Sequence, residues 1–136
     1  MRSLRALGLY AVLTVALTWP FAANLRVMDA GDSAFFAWEI GWTVHALETD
    51  PAQLPHANIF HPLRYTLGMD EPVLGTTVLV LPLALFTDDA VLLYNVARLL
   101  TWLFSALFAC WLARELGAGE WIALLAGALF AFSPIR

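Results

Sequence analysis

Two carboxylates three residues apart, Asp29 and Asp32, follow directly on a long apolar run. A carboxylate held at a membrane edge can take the proton of an acceptor hydroxyl, or help to hold a divalent cation. Asp32 also stands just before a helical pattern, where its side chain can accept from free backbone N–H groups. The two uses are compatible. The polar stretch from Asp29 to Pro72 holds seven of the chain's eleven acids (Asp29, Asp32, Glu39, Glu48, Asp50, Asp70 and Glu71) and all three histidines, His45, His56 and His61. His56 and His61 are separated by four residues of a proline-containing segment. That spacing specifies no metal, so the histidines read as hydrogen-bonding or interfacial groups. No metal or other cofactor is expected. Asp70 and Glu71 precede Pro72 at the start of an apolar run. They suit the positive end of a helix, or contact with a sugar or a cation. Asn95 and Arg98 interrupt a later apolar helix. Polar groups at such depth hint at function, but Arg98 can snorkel to the surface or pair with Asp88 or Asp89, and a structural role is expected. No phosphate-binding loop, Ser-His-Asp arrangement or zinc helix motif is present.

The elements that must position these groups are hydrophobic. The chain is 61% hydrophobic and 13% charged, against about 45–50% and about a quarter for soluble domains. One core in 136 residues cannot hide that much apolar surface. Lysine is absent and the net charge is -4, so no basic patch points to nucleic acid. Cys110 is the single cysteine and forms no intrachain disulfide.

The fold expected is all-α and polytopic, with about four membrane helices, an external loop and a juxtamembrane amphipathic helix. Arg2 and Arg5 precede an apolar run from Leu4 to Leu25, which at about 1.5 Å per residue can cross a hydrocarbon core of about 30 Å. The run is long for a signal peptide, and Trp19-Pro20-Phe21-Ala22-Ala23 lacks a small-x-small cleavage site, so an uncleaved span is expected. The arginines favour a cytoplasmic N-terminus, with residues 26–72 external. Inside that loop a helix is expected from Ser33 to about Glu48, with Trp38, Trp42 and His45 on one stripe. Asp50-Pro51 ends it, and the prolines that follow favour extended or turned backbone. Further spans are expected at 70–86, kinked at Pro82, at 91–113 and at 120–133. Ala123, Gly127 and Ala131 recur every four residues and form a seam for close packing. Alternation puts Asp88-Asp89 inside and Arg114–Glu120 outside. The whole is expected to be one transmembrane domain, the N-terminal part of a longer protein.

The stretches GDSAFFAWEIGW and NIFHPLRYTLGMDEPVLG, and the run from LLYNVARLL through LARELGAG to AFSPIR, resemble the N-terminal part of the GT-C superfamily of integral-membrane glycosyltransferases. They are like those of polytopic bacterial members. The resemblance implies transfer of a sugar from a polyprenyl-phosphate donor on the outer face of the plasma membrane. It implies Asp32, or else Asp29, as catalytic base or metal ligand; Glu39, His61, Asp70 and Glu71 are the candidate substrate contacts. Asp32 is followed by Ser33 where the commoner pattern has a second acid. Membrane lipid and the lipid-linked donor are the partners implied. The rival expectation is a non-catalytic membrane protein, a transporter or an assembly factor.

Overall fold

Among the described residues, which are 2–29, 31–69 and 71–133 of a computed structural model, five α-helices form and no strand does. They are α1 (Arg2–Leu17), α2 (Ser33–Thr49), α3 (Leu74–Ala84), α4 (Ala90–Glu115) and α5 (Glu120–Ala131). The all-α expectation holds. The four-span expectation is not met by helix length. Only α4, at 26 residues, is long and apolar enough to cross a membrane; α1, α3 and α5 have 16, 11 and 12 residues.

Each shortfall has a local cause. Pro20 pushes Trp19 out of helical backbone, so α1 stops at Leu17 and the chain continues into a single 3₁₀ turn, Phe21–Ala23. The segment expected to span at 70–86 yields only α3, because Pro72 delays the helix and the chain turns again after Ala84. At about 1.5 Å per residue, these 11 residues cover roughly half of a hydrocarbon core. By contrast, α4 contains neither glycine nor proline and runs until Gly117, whose φ of 90° forms the left-handed cap. Gly117 N–H donates to the Arg114 carbonyl and Ala118 N–H to that of Ala113, both at 2.9 Å, the paired bonds that close a helix C-terminus.

The chain packs as two units where one domain is expected: Met1–Asn24 with Arg98–Arg136, and Leu25–Ala97. The first unit is built on small residues. Ala6, Tyr10, Ala106, Cys110, Ala123 and Ala131 are its buried core. Tyr10 Oη donates to the Leu124 carbonyl at 2.9 Å. Gly127 lies so close to α1 and α4 that an added Cβ would meet Tyr10 Oη at 2.3 Å and the Ala106 carbonyl at 2.5 Å. The small-residue seam is therefore a packing seam. Ala6 lines a groove of about 320 Å³ with Leu107, Cys110 and Arg114. At its other end, Phe21 lies edge-on to Trp102 and beneath the Arg98 guanidinium, 4.5 Å from the ring centre. Within this unit α1 and α4 therefore run antiparallel.

The outward face of the first unit is apolar, with Leu4, Val12, Val15, Phe108, Trp111, Trp121, Leu125 and Leu129 all exposed. No charged residue occurs in 6–24, 99–113 or 121–135. The second unit is different inside. Ala37, Ile40, Val44, Val80 and Leu93 are buried there beside Ser33, Glu39, Thr43, Thr66, Thr77 and Asn95. In the first unit Thr14 is the buried polar side chain among the described residues.

Candidate functional site

The second unit carries the acids, and α2 organises them. Gly31, at φ 90°, turns the chain into the helix. Asp32 sits at the N-cap position, and its backbone carbonyl accepts from Phe35 and Phe36 N–H at 3.0 and 3.1 Å. Its carboxylate makes no cap hydrogen bond and is exposed. The capping use of Asp32 expected from sequence is therefore absent: the side chain leaves the first turn for solvent. Asp29, also exposed, lies one turn earlier on the same approach. That approach is clamped from α4. Asn95 Nδ2 donates to the carbonyls of Leu25 and Val27, at 2.9 and 3.0 Å. Asn95 is buried, and its Oδ1 receives no hydrogen bond.

The aromatic residues of α2 then hold the rest of the polar stretch. Trp38 Nε1 donates to Asn58 Oδ1 and Trp42 Nε1 to the Leu54 carbonyl, each at 3.1 Å. Phe36 stacks on Tyr94 of α4, ring centres 6.3 Å apart. Asp50 ends the helix and uses its own carboxylate to accept from Ala52 N–H at 3.1 Å, opening the 3₁₀ turn Pro51–Gln53. The chain from Leu54 to Met69 is thus a fastened loop rather than a loose connection. His56 is part of the fastening: its Nδ1 accepts from Tyr65 N–H at 3.2 Å and its ring lies 4.5 Å from that of Tyr65. An accepting Nδ1 leaves the ring proton on Nε2.

The expected site residues separate into three groups. Asp29 and Asp32 precede or open α2, and both are exposed. Glu39 lies two turns further along α2 and is 1% exposed, turned into the unit's interior with Thr43 one turn on. That burial removes Glu39 from direct reach of a substrate on the surface. A buried carboxylate must be hydrogen-bonded, paired or protonated. His61 and Glu71 are exposed on the loop and before α3 respectively, and Asp70 lies outside the described residues. Among the described residues no three His, Cys, Asp or Glu side chains gather as a metal site. Arg26 is placed beside Asp89, at 3.8 Å. Arg26 is exposed and Asp89 half-buried, and at this separation the pair contributes only about 0–1 kcal/mol.

Sequence reasoning missed Asn58 as the Trp38 acceptor and the clamp from Asn95 to Leu25 and Val27. The first has no local signal. The second had half of one, a polar residue on an apolar helix, without its partners. No protein-family model matches the chain, and no curated protein or solved structure shows significant similarity to it.

Proposed function

We propose that this chain belongs to an integral-membrane glycosyltransferase that takes a sugar from a polyprenyl-phosphate donor on the outer face of a bacterial plasma membrane. The observation that carries the reading is Asp32: an exposed carboxylate at a helix start that makes no cap hydrogen bond. In the reaction Asp32 takes the proton of the acceptor hydroxyl as its oxygen bonds to the anomeric carbon. The bond from that carbon to the phosphate oxygen breaks, and the polyprenyl phosphate leaves with the electron pair. Asp29, three residues earlier, is the second candidate acid.

The membrane reading draws support from the outward apolar face of the first unit and its freedom from charge over 6–24, 99–113 and 121–135. Monomeric soluble proteins rarely expose large contiguous apolar patches. In this reading α4 crosses, α1 crosses beside it, and α3 does not. Because α1 and α4 are antiparallel, Phe21 and Arg98 mark one end of the first unit, and Ala6 and Arg114 the other. Arg2, Arg5 and Arg114 then share the cytoplasmic side. Residues 25–97, with nine of the eleven acids, are external. This replaces the alternating topology: Asp88-Asp89 becomes external and the Arg114–Glu120 turn cytoplasmic. A transporter would set polar groups at mid-membrane, whereas the described interior of the first unit holds only Thr14.

The test is transfer from a labelled polyprenyl-phosphate sugar in membranes containing the complete protein. Asp32→Asn is expected to abolish product while the protein accumulates normally. Wild-type product from that variant would remove Asp32 from the mechanism.

A further inference from the structure

One feature of the second unit is unused by this chemistry. Residues 51–69 contain no acid, although the unit around them carries nine acids and two arginines. Arg64 lies in this stretch with His56 and His61. Its surface is also apolar: Phe60 is 56% exposed, Tyr65 64%, Leu63 57% and Met69 55%.

The backbone beneath is held in an uncommon form. Phe60 and Tyr65 have φ of 58° and 59°, a region that bulky side chains rarely occupy. Such backbone persists only where its surroundings fix it. Here they do. Leu63 N–H donates to the Phe60 carbonyl and Gly68 N–H to that of Tyr65, at 3.0 and 3.2 Å. Thr66 Oγ1 donates to the Ala57 carbonyl at 2.8 Å, and Thr66 and Leu67 are buried. The two aromatic rings are therefore presented outward by a braced loop.

We infer that this loop face is a membrane-surface contact, with Phe60, Leu63, Tyr65 and Met69 seated at the boundary of headgroups and acyl chains and Arg64 on a lipid phosphate. Charge complementarity selects the occupant. The stretch pairs a lone arginine with exposed aromatic and aliphatic side chains, the composition that interfacial segments use. The acidic remainder of the unit would be repelled by anionic lipid. Continuity supports the same occupant, since this unit contains the first turns of α4, the helix long enough to span. The inference rests on the membrane reading above.

The test uses the full chain with Cys110→Ala, reconstituted in nanodiscs of phosphatidylglycerol and phosphatidylcholine. Single cysteines replace Leu63, Gln53 or Phe108, and each carries an environment-sensitive fluorophore. A lipid-borne nitroxide is expected to quench most of the Leu63 and Phe108 emission and little of the Gln53 emission. Aqueous iodide is expected to do the reverse. Arg64→Gln is expected to erase any excess of Leu63 quenching in phosphatidylglycerol over phosphatidylcholine alone, leaving Phe108 unchanged. Quenching of Leu63 by iodide to the level of Gln53, with Phe108 still lipid-quenched, would overturn the loop contact alone. A Leu63 probe shielded from both quenchers would also overturn it, pointing to a protein partner. Iodide quenching of Phe108 would sink the membrane reading, and the loop contact with it.

Discussion

Asp32 occupies a helix start without serving it, and this separates its two expected uses by experiment. Because no cap bond exists to lose, Asp32→Ala should shift stability by no more than about 0.5 kcal/mol, like other surface changes. A working cap would cost about 0.5–2 kcal/mol on the same change. Thermal unfolding of both Asp32→Ala and Asp32→Asn is thus expected to overlay on wild type while transfer is lost in each. A stability drop confined to the alanine variant would show the cap restored in solution. Asn95 presents the opposite case. Its amide is the shared donor of two carbonyls 68 and 70 residues away. Asn95→Ala should destabilise by about 1–3 kcal/mol, the cost of stranding buried polar groups, and should loosen the approach to Asp29. Protection of that segment in hydrogen exchange is the direct readout. The sequence marks Asn95 as unusual through its apolar surroundings. It cannot supply the partners, since they are backbone groups with no residue signature.

At the scale of elements, two contacts carry the architecture. Gly127 brings α5 against α1 and α4 with no room for a methyl group. Gly127→Ala is therefore expected to cost about 1–3 kcal/mol by overpacking, and Gly127→Leu more, both read as lowered thermal stability in detergent. Tyr10→Phe should relieve only part of the alanine defect, because the Ala106 carbonyl remains in the way. Stability of Gly127→Leu equal to wild type would place the seam against lipid. On α2, Trp42→Phe deletes one loop bond and should cost about 0.5–1.5 kcal/mol. Faster proteolysis between Pro51 and Met69 would mark the released loop. Much of this level is legible in sequence. The spacing of Ala123, Gly127 and Ala131 gives the seam, and the run from Ser33 to Thr49 gives α2 nearly to its ends. The errors sit at prolines. Pro20 and Pro72 each trim a helix that hydropathy alone would extend, because an averaged apolar signal does not register the backbone restriction that a proline places on the residue before it.

For the whole molecule, hydropathy reads α3 as a span since it counts apolar residues without asking what they face. Thr77, Val80 and Ala84 are buried within the second unit, and that packing explains the composition of α3 without lipid. On the proposed membrane reading, dropping this one crossing inverts the expected sidedness of everything after it. In intact cells an impermeant thiol reagent should label cysteines placed at Gln53 and Asp88, and should spare one at Leu116. Labelling at Gln53 and Leu116 but not Asp88 would restore the alternating arrangement. Labelling at Leu116 alone would reverse the N-terminal orientation. The division into two units was not legible at all, because it depends on α4 serving both, and helical periodicity is blind to a boundary inside a continuous helix.

The placement of α1 against α4 and α5 sets a schedule for synthesis. The 73 residues from Leu25 to Ala97 separate the two segments of the first unit, so at roughly 5–20 residues per second α1 waits roughly 4–15 s for α4 to begin its part of that unit. The acceptor of Tyr10 is later still, 114 residues downstream at Leu124. Through that interval the Tyr10 hydroxyl needs an interim partner, because a buried polar group left unpaired is costly.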